Sequence, residues 1–253
     1  MAPDSVGAQA RERSVEIFSL TDHDTCAGHA AAAQSFGQRA VRGVELSCDD
    51  SGQTVHVLTF DTGGAWHELE ANLAERAERR RDRLRTIGAQ LARRGVHIDV
   101  EAILAAAGAR AVGRPDLARA LVAQGLVAST REAFTRYLYD GGPGDAGGHR
   151  LSLREGLALG RAVGARMSLA HPHLIPDRAA RLLRTHKDDG LDAVEAYYAT
   201  YDATERGRWT RLADEIGLVC TGGSDRHTPS DPELGVELPE PRAEQLRTWL
   251  RMS

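Results

Sequence analysis

The sequence of 253 residues contains a single lysine, Lys187, so 31 of its 32 basic residues are arginines. This scarcity argues against a catalytic lysine and against the lysine of a phosphate-binding P-loop. Three cysteines, Cys26, Cys48 and Cys220, lie far apart and show no CxxC spacing. We therefore expect a reducing compartment, without a disulfide framework or a zinc–thiolate site.

Long apolar runs are also lacking. None approaches the ~18 residues of a membrane span, and the N-terminal segment MAPDSVGAQARER has no apolar core of a signal peptide. The net charge of −4, from 36 acidic and 32 basic residues, argues against a protein that coats nucleic acid. We expect a cytoplasmic protein that binds neither membranes nor duplex nucleic acid stably. The sequence does not indicate the oligomeric state.

Strands and helices alternate in the two end portions of the chain. Short apolar segments predict strands at 15–20, 40–46, 54–60, 167–172, 193–198 and 218–225. Amphipathic segments predict helices at 3–13, 27–37, 152–163, 177–187, 202–215 and 242–252. This alternation is typical of parallel βα units, whose chemistry lies where the strands end.

The middle of the chain shows a different pattern. An arginine-rich amphipathic helix is predicted over 66–94, followed by helices near 100–107, 117–124 and 130–138 and by the glycine-rich linker GGPGDAGGH at 141–149. Because no convincing strand occurs there, we interpret 66–149 as a helical insertion. We expect it to fold as a helical lid beside the mouth of an α/β barrel, whose two parts along the chain are 1–65 and 150–253.

Polar residues recur at the ends of the apolar strands, in the motifs TDHD, GVELS, VHVLTF, LAHPH and GGSDRH. Imidazole together with carboxylate suits divalent metals such as zinc and manganese. Two metals ~4 Å apart can activate water and hold a phosphoryl group. The motifs therefore predict a metal site for phosphoryl chemistry.

Each of these residues has an alternative interpretation. His56 could be a core histidine with a satisfied hydrogen bond, and His173 is expected to cap a helix or to face solvent. Asp24 is expected to be the N-cap of the following helix, and Asp22 could orient His23. Asp225 could belong to an ordinary turn, as could His227, which follows it in GGSDRH.

The order TDHD, GVELS, VHVLTF, LAHP and GSDRH resembles the polymerase-and-histidinol-phosphatase (PHP) family. GRPDLARALVAQGLVAS followed by EAFTRYL resembles the inserted domain of its branch that hydrolyses nucleotide phosphates. The resemblance covers nearly the whole chain and implies a distorted (β/α)7 barrel with a helical insertion. The implied activity is hydrolysis, with water attacking phosphorus in line, of a phosphomonoester on a nucleotide (AMP or a 3′,5′-bisphosphonucleotide) or on a short 5′-phosphorylated oligonucleotide.

The resemblance also implies roles for individual residues. Two or three divalent ions would bind per site, with manganese favoured over Mg²⁺, Zn²⁺ or Fe²⁺. Arg114 of GRP would bind substrate, because a guanidinium donates two parallel hydrogen bonds to phosphate; a surface arginine is the alternative. Glu45, His171 and Asp225 would be catalytic. The implied metal ligands are His23, Glu45, His56, His171, Asp225 and His227.

Three departures from the family pattern affect these expectations. The family opens with a strand ending in HxH and an SDG-like loop, which this sequence lacks, so we expect the first barrel strand to be missing and metal to bind poorly. Asp116 stands where the branch usually has histidine and is expected to repel phosphate. The linker lacks a usual aromatic residue. The alternatives are a catalytically impaired binding or regulatory protein, and an amidohydrolase-like enzyme that cleaves C–N bonds.

Overall fold

The structure is a computed structural model that describes residues 1–139, 141–147 and 150–252. The chain divides into two compact units, one formed by Met1–Glu70 with Leu151–Ser253 and the other by Ala71–Arg150. The last two residues of the linker predicted at 141–149 lie outside the described residues. The predicted division into 1–65, 66–149 and 150–253, and the role of the insertion as a lid, stay predictions.

One sheet forms the centre of the first unit. Its strands are β1 Gly43–Asp50, β2 Gln53–Phe60, β3 Arg166–Leu169, β4 Leu191–Tyr198 and β5 Val219–Gly223. They lie side by side in chain order. β1 pairs with β2 and β2 with β3 in antiparallel fashion, whereas β3–β4 and β4–β5 are parallel.

A tight hairpin joins β1 to β2. Asp50 pairs with Gln53, so only Ser51 and Gly52 form the loop. Both have positive φ, 56° and 83°, which is the requirement of a type I′ turn. The Asp49 carboxylate accepts a hydrogen bond of 3.0 Å from the Gly52 amide. This turn fixes the register of the two strands, and hence the face on which each side chain lies.

The sheet corrects the predicted (β/α)7 barrel. Among the described residues it has five strands and is open, and two of its four pairings are antiparallel. For β1 and β2 the reason is local, because a two-residue loop can join only antiparallel neighbours. What the structure shows is a mixed α/β fold.

The predicted strand at 15–20 is also wrong. Among the described residues, 15–20 forms no strand pairing: the Phe18 carbonyl accepts from the amide of Val41, which lies just before β1, at 2.9 Å. The first bridge to β1 comes later, between His23 and Glu45. Phe18 instead packs against Phe36, with ring centroids 4.8 Å apart. The side chain of Phe18 therefore packs in the apolar core between two helices and does not indicate a paired strand.

Six helices of the first unit agree with the sequence patterns. They are α1 Pro3–Glu12, α2 His29–Phe36, α7 Leu153–Ala162, α8 Pro176–His186, α9 Ala203–Ile216 and α10 Glu240–Trp249. The first two pack unusually closely, since a Cβ at Gly7 would lie 2.0 Å from the Ala32 carbonyl oxygen. The helix α7 begins with a capping box, in which Ser152 and Glu155 satisfy each other's backbone amides.

The second unit is helical. α3 Trp66–Ala92 begins in the first unit, and α4 Val100–Ala107, α5 Arg114–Ala123 and α6 Thr130–Ala133 follow, the last continuing as a π-helix over Phe134–Leu138. Leucines at the helical spacing form its core, among them Leu84, Leu91, Leu104, Leu117 and Leu121. Across the described parts of the chain, no helix combines the length and apolarity that a bilayer span requires.

Candidate metal centre

A buried glutamate, Glu45 of β1, lies at the centre of a group of histidines. Its side chain is shielded, with 4% of the residue exposed. Oε1 lies 2.9 Å from His56 Nδ1 and 3.0 Å from His171 Nε2, and Oε2 lies 3.6 Å from His23 Nδ1. His56 Nδ1 and His171 Nε2 are themselves 3.1 Å apart. Four of the six predicted ligands therefore meet at one point.

The hairpin supplies two of these side chains. Ser47 pairs with His56 across the strands, and Glu45 is two residues before Ser47. Residues opposite each other, and residues two apart on one strand, share a face of a sheet. The register set by the turn thus places Glu45 and His56 diagonally on the same face. His171 follows the end of β3, which pairs with β2.

His23 reaches the cluster because the TDHD segment binds the edge of β1. The Glu45 amide donates to the Asp22 carbonyl at 3.1 Å, and the Asp24 amide donates to the Glu45 carbonyl at 2.9 Å. The Asp24 carboxylate accepts from the Ser47 amide at 2.9 Å. Asp24 is therefore not the predicted cap of α2, whose N-cap is Gly28. It anchors the segment that carries His23.

The geometry fits a divalent cation. Bonds of about 2.0–2.2 Å at angles of about 90–110° place ligand atoms roughly 2.8–3.6 Å apart, and the observed separations of 2.9, 3.0, 3.1 and 3.6 Å lie in this range. Ligand atoms of His23, Glu45 and His56 all lie within 4.8 Å of one another. Imidazole and carboxylate together suit manganese, iron or zinc. The expectation of a divalent metal site thus has geometric support.

The charges of the cluster also favour a cation. Burial opposes ionisation of Glu45, but hydrogen bonds from His171 and His56 outweigh it and lower the pKa of the carboxyl. Burial likewise opposes protonation of His171, yet the hydrogen bond and charge of Glu45 raise the pKa of that imidazole. The site holds a carboxylate charge that a proton or a metal ion can neutralise, so metal binding would release a proton.

The last two predicted ligands lie on the loop after β5. The His227 ring is 5.7 Å from the His23 ring, centroid to centroid. Asp225 Oδ2 accepts a hydrogen bond of 3.0 Å from the Tyr198 hydroxyl, and His227 Nδ1 lies 2.9 Å from the Asp225 carbonyl oxygen. His227 therefore lies next to the cluster, beside His23. That Asp225 and His227 are metal ligands stays a prediction.

The predicted substrate residue, Arg114, begins α5 in the second unit. It is half-buried, donates from Nη1 to the Leu138 carbonyl at 2.9 Å, and lies over the Phe134 ring at 6.0 Å. These contacts position the guanidinium within its own unit. Its role in binding substrate stays a prediction.

Asp116, two residues further along, has its charge balanced. Its carboxylate accepts from Arg110 at 2.8 Å, from Arg119 at 2.6 Å and from the Gly113 amide at 2.8 Å. Burial opposes ionisation, but these hydrogen bonds prevail and lower the pKa of Asp116. The residue that was expected to repel phosphate therefore caps a helix and pairs with two guanidinium groups.

Sequence reasoning missed two polar residues of β4. Glu195, 4% exposed, accepts a hydrogen bond of 2.7 Å from the His171 amide, and Tyr198 donates to Asp225. Burial raises the pKa of Glu195 to about 7. The signal available in the sequence was an acidic residue inside the apolar run LDAVEAYY. His173, expected to cap or to face solvent, is half-buried and lies 2.9 Å from the Tyr201 hydroxyl.

No family model matches the chain, but characterised proteins resemble it along most of its length. It is 28% identical over 238 residues to a 3′,5′-nucleoside bisphosphate phosphatase from Chromobacterium violaceum, covering 91% of this chain and 84% of the relative. It is 28% identical over 247 residues to the 5′-3′ exoribonuclease Rnm from Salmonella typhimurium, covering 94% and 84%. It is 29% identical over 240 residues to a phosphoribosyl 1,2-cyclic phosphate 1,2-diphosphodiesterase from Eggerthella lenta, covering 91% of each.

Two solved structures share the fold. One, from Bifidobacterium adolescentis and named a metal-dependent phosphoesterase, superposes with a TM-score of 0.73 at 25% identity, covering 98% of this chain and 91% of that one. The other, from Chromobacterium violaceum and named an amidohydrolase with bound sulfate and no metal, gives 0.73 at 27% identity, with 98% and 92% covered.

Proposed function

We propose that the chain is a metal-dependent phosphoesterase of the PHP family. Its proposed substrate is a phosphomonoester of a nucleotide, AMP or a 3′,5′-bisphosphonucleotide, or a short 5′-phosphorylated oligonucleotide. The observation that carries the proposal is the buried carboxylate of Glu45 in contact with three imidazoles. The broader prediction of a hydrolase of phosphoric esters is confirmed by the relatives, whose names all denote cleavage of a phosphoester.

In this proposal Glu45, His23, His56 and His171 hold divalent metal, and Asp225 and His227 complete the set. Bound divalent ions would make water a stronger nucleophile and neutralise charge on phosphate oxygens. Manganese is the favoured ion, with Mg²⁺, Zn²⁺ or Fe²⁺ as alternatives, and two or three ions are proposed per site. Glu45, His171 and Asp225 keep their proposed catalytic roles.

Arg114 is proposed to bind the phosphate of the substrate. A guanidinium presents its donors as a planar fork that matches two phosphate oxygens. The contact with the Leu138 carbonyl engages Nη1 and holds the side chain in one orientation. The cytoplasmic location and a nucleotide or oligonucleotide as binding partner are proposed with it.

The test is a substrate panel assayed with the metal-free protein before and after addition of Mn²⁺. The panel contains AMP, a 3′,5′-bisphosphonucleotide, a 5′-phosphorylated oligoribonucleotide, phosphoribosyl 1,2-cyclic phosphate and an N-acyl amino acid. We expect manganese-dependent release of phosphate or mononucleotide from one or more of the first three, and none after chelation. Hydrolysis of the amide alone would establish the amidohydrolase alternative. Manganese binding without turnover of any phosphoester would refute the proposal.

A further inference from the structure

Two of the proposed ligands have a backbone conformation that L-amino acids rarely adopt. His171 has φ of 27° and Asp225 has φ of 48°. Such conformations are strained and persist only where the surroundings hold them in place. Each follows the end of a strand, β3 for His171 and β5 for Asp225. The structure must therefore contain groups that hold these two turns.

Both turns are held by the strand between them. β4 lies between β3 and β5 and carries none of the proposed ligands. The carboxylate of Glu195 accepts from the backbone amide of His171 at 2.7 Å, and the hydroxyl of Tyr198 donates to Asp225 Oδ2 at 3.0 Å. One strand thus contacts both strained ligands through two polar side chains.

A β-bulge makes this arrangement possible. Residues three apart on a regular strand point to opposite faces. Here Glu195 pairs with Thr221, whereas Tyr197 pairs with Gly222, the next residue on β5. Ala196 is the extra residue of the bulge, and it brings Glu195 and Tyr198 to the same side. The local sequence EAYY therefore directs both side chains towards the site.

The glycine pair of the TGGSD motif accommodates the bulge. A Cβ at Gly223 would lie 2.6 Å from Glu195 Oε1, and a Cβ at Gly222 would lie 2.7 Å from the Tyr197 carbonyl oxygen. Neither glycine has a positive φ, so close approach explains them better than backbone freedom does. The strand that leads to Asp225 therefore has glycines where the Glu195 side chain needs room.

We infer that Glu195 and Tyr198 are positioning residues, which hold His171 and Asp225 in their strained conformations so that both side chains can bind metal. This inference rests on the proposed function, because it assumes that His171 and Asp225 are ligands. Removing a residue that orients a metal ligand through a hydrogen bond typically weakens metal affinity about 10–100-fold.

The test is the Mn²⁺ dissociation constant of the full chain, measured by calorimetry after removal of metal. We expect Glu195→Ala and Tyr198→Phe to weaken binding by about 10–100-fold. Glu195→Gln should bind nearly as the unchanged protein does, since its amide oxygen accepts the same hydrogen bond. The matched control is Tyr197→Phe, which removes a hydroxyl from the neighbouring position of the same strand, and its affinity should not change.

A second measurement does not need metal. Hydrogen exchange of the His171 amide in the metal-free protein should accelerate in Glu195→Ala and stay slow in Glu195→Gln. Tyr198→Phe loses only a hydroxyl, so its metal affinity can still be measured if Glu195→Ala does not fold.

The outcomes separate this inference from the proposed function. Unchanged manganese affinity in folded Glu195→Ala and Tyr198→Phe would overturn the inference, as would equal weakening by Glu195→Gln and Glu195→Ala. A wild-type protein that binds manganese but hydrolyses no phosphoester would refute the proposed function and leave the positioning roles intact. A wild-type protein that binds none of Mn²⁺, Mg²⁺, Zn²⁺ and Fe²⁺ would overturn both.

Discussion

Two buried carboxylates, one in each unit, have opposite surroundings. Glu45 is 4% exposed and faces imidazoles, whereas Asp116 is 7% exposed and faces two guanidinium groups and a backbone amide. Imidazole is neutral or charged according to pH, but guanidinium is always charged. The charge of Asp116 is therefore cancelled permanently, and that of Glu45 remains available to a cation.

The origin of the partners differs as well. Asp116 binds Arg110, Gly113 and Arg119, all within six residues of it. The partners of Glu45 come from three separate segments of the chain, and His171 is 126 residues away. A carboxylate that caps its own helix contributes to local stability, whereas one assembled from remote segments is typical of a site. The same chemical change in the two places should therefore have different effects.

The largest effect is expected for Glu45→Gln, which exchanges the central carboxylate for a neutral amide. Metal affinity should fall by more than about a hundredfold, beyond the loss caused by removing an outer partner, and turnover should fall with it. Calorimetric titration with Mn²⁺ and the phosphoesterase assay measure the two. The matched control is Asp116→Asn, which makes the same exchange and should keep manganese affinity. Equal affinity in Glu45→Gln and the unchanged protein would show that Glu45 is not a ligand.

The substitution Arg114→Ala tests whether the second unit contributes to substrate binding as well as to stability. Loss of a charge-assisted contact with phosphate costs ~1.5–3 kcal/mol, or roughly ten- to a hundredfold in kcat/KM. The thermal midpoint should change little by comparison, because Arg114 is half-buried and a partly exposed hydrogen bond to the Leu138 carbonyl adds little to stability. Steady-state kinetics and thermal unfolding of the same preparations check this. A large drop in the midpoint with unchanged kinetics would assign Arg114 a structural role instead.

The smallest effect is expected for Asp116→Asn, and it should depend on pH. At pH 7 the variant should lose about 1–2 kcal/mol of stability with its ion pairs to Arg110 and Arg119, while its amide oxygen can still accept from the Gly113 amide. Because the folded-state pKa of Asp116 lies below the ordinary value of 3.8, this stabilisation is present above that value and is lost as pH falls through the lower folded pKa.

Denaturant unfolding between pH 7 and pH 3 measures this dependence. The difference between the two proteins should stay constant down to about pH 4.5 and begin to shrink as pH falls below 3.8. A difference that stays constant with pH would show that the carboxylate charge of Asp116 does not stabilise the helix.

The sequence predicted most helices and the strands from β1 to β5, because amphipathic spacing and apolar runs report burial directly. It also predicted the histidines and Glu45, since polar residues at strand ends stand out against apolar neighbours. It did not predict the role of Asp24, which depends on pairing with Ser47, 23 residues later. It also missed Glu195 and Tyr198, because the bulge at Ala196 breaks the alternation from which a face is inferred.

The turn at Ser51–Gly52 has a consequence for the order in which the site assembles during folding. The hairpin pairs residues no further apart than Gly43 and Phe60, so its loop closes early, on a scale of ~1–10 μs for a hairpin. Glu45 and His56 then already share a face, while His171 awaits a much longer and slower closure. The hairpin thus brings two of the proposed ligands together before the distant strands pair and add the others.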